Sequence, residues 1–195
     1  MIRTVDIQKL REETQAPVME CKKALEETQG DFEKAKLILK KKGELRAEKK
    51  QNNETHSGII EAYVHANNKR LGVLLELRCE TDSVANSPDF KLLAHEISMH
   101  IAAMNPQFVS QESIPKEIME EKVKEYQEEI KNSHKPPEII EKIIQGKLEK
   151  ELGEICLLNQ IFIKDETKTI NDLLKEATAK FGEKIEISHF CRFQI

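Results

Sequence analysis

Apolar residues recur every three or four positions over residues 4–42, which is the spacing of one face of an α-helix. They form three groups: Ile7 and Leu10, then Val18, Cys21 and Leu25, then Phe32, Ala35, Ile38 and Leu39. Pro17 suits the first turn of the second helix, and Gly30 suits the position just past its end. Asp31 can cap the third helix, and Gly43 can end it. The pattern predicts a module of three short helices over residues 1–43.

Residues 44–57 carry almost no apolar periodicity. Such a stretch is typical of a polar linker or of a frayed helix extension between two bodies. We therefore place a domain boundary here, with the three-helix domain at 1–43, a linker at 44–57 and a core domain at 58–195.

Apolar residues alternate with other residues in two stretches after this linker, and again at the C-terminus. The three sets are Ile60, Ala62 and Val64, then Val73, Leu75, Leu77 and Cys79, and finally Ile185, Ile187, Cys191, Phe193 and Ile195, with His189 on the same face as the last set. A period of two is typical of a β-strand, and Asn67-Asn68-Lys69 suits the turn between the first two stretches. The pattern predicts an antiparallel hairpin and a last strand that completes a small three-stranded antiparallel sheet.

The remaining segments have helical spacing. Ser87 can cap and Pro88 can open a regular helix that Asn105-Pro106 ends. Residues 116–152 predict a helical hairpin interrupted at residues 134–137. A further helix follows Thr169 and ends at Gly182. The predicted fold class is α+β, mostly helical, with the small sheet packed against helices.

The composition and the charge exclude some classes of function. The 195 residues include 31 Lys and Arg against 35 Asp and Glu, a formal charge of −4, which excludes a polycation that holds nucleic acid directly. No apolar run approaches the roughly 18 residues that a membrane span needs. The start of the chain has neither the apolar region of a signal peptide nor the acid-poor character of a transit peptide. We expect a cytoplasmic protein with no membrane partner.

The candidate metal ligands have unfavourable spacing. His95 and His100 are five residues apart, so they point about 140° apart on a helix and do not easily share one zinc ion. The four cysteines lie far from one another, with no C-x-x-C pair, and for most of them a small buried hydrophobic residue is the favoured interpretation. We predict no metal site.

Other chemical motifs are absent from the sequence. The seven glycines form no phosphate-binding loop, and no G-x-S-x-G motif supplies a nucleophile. Lysine-rich stretches near residues 40–50 alternate with glutamates and lack stacking aromatics, which favours a solvated helix face. We predict no cofactor and no enzyme activity. Elimination favours a protein–protein interaction role.

Several blocks resemble bacterial elongation factor Ts, in the same order along the chain. Residues 10–25 read LREETQAPVMECKKAL, close to the family's opening L-R-x-x-T-G-A-G-M-M-D-C-K-K-A-L. Later blocks are HANNKRLGVLLE at 65–76, CETDSVA at 79–85, IAAMNP at 101–106, KIIQGKL at 142–148, CLLNQIFIKD at 156–165 and FCRF at 190–193. The resemblance covers essentially the whole chain.

The resemblance implies a ubiquitin-associated-like N-terminal domain followed by a dimerisation and core domain. It also implies that the protein promotes guanine-nucleotide exchange on the GTPase elongation factor Tu, which members of the family bind in its GDP-bound and nucleotide-free states. In the family, a T-D-F-V loop pushes between two helices of the GTPase and disturbs its Mg²⁺ site. The matching residues here are Thr81, Asp82, Ser83 and Val84, so Ser83 replaces the inserting phenylalanine.

The N-terminal motif also departs from the family pattern, because QAPV at residues 15–18 replaces G-A-G-M. The candidate docking residues in this domain are Arg11, Val18, Met19 and Lys22. The alternative is that Val18 and Met19 belong to the core of the small domain.

Three further alternatives stay open. The chain could be a partner-binding scaffold that leaves the nucleotide state unchanged, or, with less support from its acidic balance, an RNA-associated protein. The chain looks like a short form of the family, and it could form a homodimer through Cys191 at a sheet edge, although a reduced, buried thiol is the favoured interpretation.

Overall fold

The computed structural model describes residues 2–14, 16–66, 69–130 and 137–195, apart from the side chains of Glu44, Ala47, Pro137 and Glu138. The helices are α1 (Thr4–Thr14), α2 (Val18–Glu27), α3 (Phe32–Lys50), α4 (Asp82–Ala85), α5 (Pro88–Met104), α6 (Lys116–Ile130), α7 (Pro137–Ile155) and α8 (Ile170–Phe181). The strands are β1 (Ser57–Val64), β2 (Leu71–Cys79), β3 (Ile161–Phe162), β4 (Asp165–Thr169) and β5 (Glu186–Gln194). This architecture confirms the mostly helical α+β class.

Helices α1, α2 and α3 form the expected three-helix module. Its core consists of the residues that set the helical period: Leu10, Cys21, Ala24, Leu25, Ala35 and Leu39. Asp31 caps α3, because its side chain accepts a hydrogen bond of 3.1 Å from the backbone N–H of Lys34. Gly30 lies just past α2 at φ +88°, a conformation that favours glycine.

The prediction that Gly43 ends the third helix is wrong, because α3 continues to Lys50. A Cβ atom at residue 43 would lie 2.9 Å from Cβ of Ala179 on α8. This glycine therefore permits a close approach to α8 rather than a helix end. The first part of the predicted linker is helical, whereas the division into domains at 43 and 57 stays a prediction.

The three-stranded antiparallel sheet has the order β1-β2-β5, so the last strand pairs with the hairpin as predicted. Alternate residues of β2 are buried, namely Val73, Leu75, Leu77 and Cys79. On β1, by contrast, the alternating apolar residues Ile60 and Val64 are 75% and 58% exposed. Residues 67 and 68 of the predicted turn lie outside the described residues.

Strand β5 forms an edge of this sheet, as expected for the strand that carries Cys191. Burial of its alternating apolar residues stops early: Ile187 is buried, whereas Phe193 is 66% exposed. Cys191 is a free thiol, but the expectation that it is buried is wrong: it is only half-buried on this edge strand, and its Sγ lies 3.4 Å from Nε2 of His189.

Helices α6 and α7 pack against each other as the predicted helical hairpin. Residues 134–136 of the predicted interruption lie outside the described residues. Strands β3 and β4 form a second, two-stranded antiparallel sheet that the sequence analysis did not predict. Short 3-10 turns occupy Gln111–Ser113 and Leu157–Asn159.

The chain divides into two compact units. The first comprises Met1–Ile59, Leu77–Lys91 and Asp172–Glu186, and the second comprises Ile60–Glu76, Leu92–Asn171 and Ile187–Ile195. All candidate binding residues belong to the first unit, which therefore contains more than the N-terminal helices. In the described part of the chain, no helix combines the length and the apolar character needed to cross a membrane.

Candidate partner-binding site

The candidate exchange loop starts as extended backbone and becomes one helical turn. Thr81 has φ −131° and ψ 153°, and α4 follows at Asp82–Ala85. The Thr81 carbonyl accepts a hydrogen bond of 3.2 Å from the backbone N–H of Ala85. The Asp82 carbonyl accepts 3.0 Å and 2.9 Å bonds from the backbone N–H and the side-chain amide of Asn86. The turn therefore has a defined conformation although α4 is only four residues long.

Ser87 joins this turn to α5. Its hydroxyl donates a hydrogen bond of 2.8 Å to the carbonyl of Val84 and accepts a 3.3 Å bond from the backbone N–H of Phe90. This confirms Ser87 as the residue that caps the helix. Phe90 is fully buried and meets Phe181 edge to face, with ring centroids 6.0 Å apart. The loop therefore ends in a packed aromatic pair.

Glu80 fixes the other end of the loop. One of its carboxylate oxygens accepts a 2.6 Å bond from the backbone N–H of Lys184, and Nζ of Lys50 lies 3.1 Å from both oxygens. The bond from Lys184, followed by the contact with Lys50, holds the pKa of Glu80 below its usual range despite partial burial. The carboxylate is therefore charged at neutral pH.

Thr81 is held from the same neighbouring segment. Its backbone N–H donates a 3.0 Å bond to one carboxylate oxygen of Glu183, and its hydroxyl donates a 2.7 Å bond to the other. The Thr81 hydroxyl therefore does not cap its own helix, and no side-chain bond caps the N-terminus of α4.

The predicted loop residues differ in exposure. Thr81, Asp82 and Ser83 are exposed, Val84 is half-buried, and Ala85 is buried. The side chain that replaces the family's phenylalanine is thus presented to solvent. Val84 is the apolar side chain within the predicted set, and part of its surface remains available.

The four predicted docking residues of the N-terminal module are all exposed: Arg11, Val18, Met19 and Lys22. Val18 and Met19 expose 44% and 62% of their surfaces, so the alternative that they form the module's core is wrong. Cys21 and Leu25 occupy that core instead. The Lys22 ammonium lies 3.9 Å from a carboxylate oxygen of Glu26, one turn further along α2.

Helix α2 is fixed to the rest of the first unit through Arg46. One guanidinium nitrogen lies 2.5 Å from a carboxylate oxygen of Glu20 on α2, and the other donates a 3.2 Å bond to the carbonyl of Ala179 on α8. Arg46 comes from the lysine- and glutamate-rich stretch that the sequence analysis assigned to a solvated helix face. That interpretation is incomplete, because Arg46 and Lys50 make specific contacts.

The two helical histidines have separate partners. His100 is buried, and its Nε2 lies 3.0 Å from Oε1 of Gln160, whereas Nδ1 of His95 lies 2.9 Å from Glu61. Among the described residues, no cluster of three or more His, Cys, Asp and Glu side chains is placed to hold a metal ion.

Three of the cysteines are buried hydrophobic residues, as the sequence analysis favoured: Cys21, Cys79 and Cys156. Burial is the main cause that raises the pKa of each of these thiols. They are poor nucleophiles at neutral pH, because only the thiolate reacts.

Sequence reasoning missed the residues that hold the loop. Lys50 and Glu183 lie 30 and 102 positions from their partners in the loop, and neither belongs to a block that the resemblance singled out. Only the fold brings them together.

A fixed, exposed turn and exposed apolar side chains on a small helical module are features that favour the class of protein-binding proteins. The elongation factor TS family model matches residues 6–195. The chain is 49% identical to elongation factor Ts of Thermosipho melanesiensis, an alignment that covers 100% of this chain and 99% of that relative. It is 51% identical to elongation factor Ts of Fervidobacterium nodosum over 97% of this chain and 95% of that relative. The chain belongs to the elongation factor Ts family, and its role is nucleotide exchange in translation elongation.

Proposed function

We propose that this protein releases GDP from elongation factor Tu through the turn that begins at Thr81. In this proposal Asp82, Ser83 and Val84 press on the GTPase near its Mg²⁺ site, and Arg11, Val18, Met19 and Lys22 dock the N-terminal module. The partner is bound in its GDP-bound and nucleotide-free states.

The exposed turn at residues 81–83 is the observation that carries this proposal. A surface loop usually loses conformational freedom on binding, which costs free energy. Here two hydrogen bonds fix the start of the turn: Glu80 accepts one from Lys184, and Thr81 donates the other to Glu183. Ser87 fixes the end of the turn through its bond to the carbonyl of Val84. The turn therefore needs little ordering when it meets a partner.

Exchange follows from thermodynamic linkage. A partner that binds the nucleotide-free GTPase more tightly than the GDP-bound form must weaken GDP binding by the same factor. Mg²⁺ bridges phosphate oxygens and neutralises their charge, so displacing it removes a large share of the affinity for the nucleotide. No covalent step is needed, and the place of action is the cytoplasm, where bacterial translation occurs.

Ser83 changes how the turn exerts its effect. A buried phenylalanine contributes about 1.5–3 kcal/mol in transfer terms, and a serine supplies almost none of it. We assign the remaining apolar contact to Val84, whose side chain is half-buried and follows directly after Ser83. Asp82 fixes the turn through the two bonds that its carbonyl accepts from Asn86.

The test is the release rate of a fluorescent GDP analogue from elongation factor Tu of the same organism, at fixed Mg²⁺. We expect strong acceleration by the native chain and its loss in Ser83→Glu, because a charge driven into a buried contact costs several kcal/mol, roughly 3–5. Ser188→Glu is the matched control, because Ser188 is also exposed but lies on β5, far along the chain from the turn. Equal effects of the two substitutions would contradict the assignment to this turn.

The scaffold alternative keeps one specific observation in its favour, which is the serine at position 83. It predicts stable binding to elongation factor Tu with an unchanged rate of GDP release. Measuring affinity and release rate on the same samples separates the two functions.

A further inference from the structure

Residues 80–81 and residues 183–184 bind each other reciprocally. The Glu80 carboxylate accepts the backbone N–H of Lys184 at 2.6 Å, and the Glu183 carboxylate accepts the backbone N–H of Thr81 at 3.0 Å. Each segment therefore supplies one carboxylate and one backbone donor to the other. The Thr81 hydroxyl adds a third bond of 2.7 Å to Glu183. Hydrogen bonds to an ionised acceptor are the stronger kind in proteins.

The two bonds from Thr81 fix the direction in which the exposed turn leaves the fold. Thr81 is the residue at which extended backbone changes to the helical turn. One donor alone would leave rotation about a single bond, whereas two donors on one residue, bound to the two oxygens of one carboxylate, define an orientation. Asp82 and Ser83 follow Thr81 directly, and no side-chain bond caps the N-terminus of α4, so the two bonds of Thr81 to Glu183 set where the turn begins.

Glu183 directly follows the end of α8, which several contacts hold in place. Gly182 ends α8 with φ +72°, and its backbone N–H donates a 2.9 Å bond to the carbonyl of Thr178. The last turn of α8 is attached to the start of α5 by the edge-to-face contact of Phe181 with Phe90. It is also attached by an ion pair of 2.8 Å between Lys180 and Asp89. The carboxylate of Glu183 is thus held by structured elements.

We propose that Glu183 is a positioning residue for nucleotide release: it acts through Thr81 and sets the direction in which the exposed turn 81–84 meets the partner. This inference rests on the proposed function, and it adds a residue outside the predicted site. The sequence separation of 102 residues explains why no local motif indicates it.

The first measurement compares GDP release at increasing concentrations of native protein and of Glu183→Ala. A positioning role predicts that the maximal release rate falls about tenfold, equivalent to about 1.4 kcal/mol, because two charge-assisted bonds are lost. The concentration for half-maximal effect should change less than about threefold, because Glu183 is not assigned to the docking surface. A purely structural defect would instead lower the active fraction and the melting temperature together.

Conservative variants distinguish orientation from charge. Glu183→Gln keeps an oxygen that can accept the Thr81 N–H and an amide that can donate to the hydroxyl oxygen, so it should retain the rate within about threefold. Glu183→Asp keeps the charge, but its side chain is one methylene shorter and should not reach Thr81, so its release rate should fall as in Glu183→Ala. If Glu183→Ala does not fold, Glu183→Asp takes its place in the comparison. Glu166→Ala, at an exposed acid on β4, is the control for loss of one negative charge.

Amide hydrogen exchange of the free protein tests the contact without the partner. In Glu183→Ala the amides of Thr81 and Ala85 should exchange at least about tenfold faster, while those of the α1–α3 core stay protected. Maximal release rates in Glu183→Ala equal to those of the native chain would overturn the positioning role. No acceleration by the native chain would overturn the proposed function and this inference together, so the two failures are distinguishable.

Discussion

Lys50 and Glu80 join the last residue of α3 to the start of the exchange loop, with Nζ of Lys50 lying 3.1 Å from both carboxylate oxygens. Their side chains expose only 30% and 20% of their surfaces. The helix that ends at Lys50 belongs to the N-terminal module, and Glu80 directly precedes the turn. This ion pair therefore connects the two parts of the chain that carry the candidate binding residues.

Replacing Lys50 by Met should lower the free energy of unfolding by about 0.5–1 kcal/mol, because the ion pair is only partly buried and Lys184 still donates to Glu80. Urea unfolding at neutral pH measures the change. Lys49→Met is the matched control, because Lys49 is the exposed neighbour in the same helical turn. A loss of the same size in both variants would show that the pair contributes nothing specific.

The contribution of Glu80 to stability should also depend on pH. Its pKa in the folded state is lowered, mainly by the bond from Lys184. The contribution is therefore fully present above the pKa of the unfolded state and is lost as the pH falls through the lower pKa of the folded state. The difference between native chain and Lys50→Met should accordingly shrink at acid pH. A difference that stays constant down to pH 3 would contradict this assignment.

The buried histidine of α5 has a defined tautomer. The side-chain amide of Gln160 donates a 2.6 Å bond to the carbonyl of Glu154, which turns its oxygen toward Nε2 of His100. On the other side, the backbone N–H of Ile163 points at Nδ1 of the ring at 3.4 Å. The neutral ring with hydrogen on Nε2 satisfies both partners. Burial is the main cause that lowers the pKa of His100, and the bond to Gln160 opposes it.

Acidification should destabilise the protein through His100. Because its pKa is lower in the folded state than in the unfolded state, the unfolded state takes up the proton first. The free energy of unfolding should therefore decrease as the pH falls below about 6.5, by at most about 1.4 kcal/mol per pH unit from this residue. Urea unfolding between pH 7 and pH 5 measures this slope. His100→Asn should flatten the slope although it lowers overall stability, and an unchanged slope in His100→Asn would contradict the assignment to His100.

The sequence predicted the elements that have a clear period. The three N-terminal helices, the hairpin, α5 and the last strand all show spacing of three to four or of two residues, and the structure confirms them. The single turn α4 is too short to show a period, so its residues alone predict only a loop. Strands β3 and β4 were missed because their connection at Ile163-Lys164 contains no glycine or asparagine.

The supporting contacts of the site could not be predicted from local sequence. Gly43 resembles a helix end, but it provides close contact with Ala179, 136 positions further along the chain. Lys50 resembles a solvated lysine in a charged stretch, but its partner is Glu80. Such contacts depend on the tertiary arrangement, whereas the exposed loop residues were identified from their resemblance to a family motif.

Replacing Ser83 by Phe should raise the maximal rate of GDP release. The side chain is exposed in the free protein, so the substitution should change stability by less than about 0.5 kcal/mol. In the complex, the aromatic ring adds apolar burial worth about 1.5–3 kcal/mol in transfer terms. Release of a fluorescent GDP analogue measures the gain, and Ser83→Ala is the control for loss of the hydroxyl alone. No gain in Ser83→Phe would show that an aromatic wedge is dispensable in this turn.

Replacing Met19 by Ala should weaken binding to elongation factor Tu without changing the melting curve. Met19 exposes 62% of its surface, so truncation removes little contact from the folded chain, and the expected change in stability is within about 0.5 kcal/mol. If Met19 is one of the minority of interface residues that dominate binding, its truncation costs more than about 1 kcal/mol, which corresponds to at least about a fivefold loss of affinity. Leu37→Ala is the matched control, because Leu37 is 59% exposed in the same module but lies on α3. Isothermal titration with elongation factor Tu measures the affinities. A loss of affinity in both variants would indicate a broader apolar surface, and a lowered melting temperature in Met19→Ala alone would return this residue to a structural role.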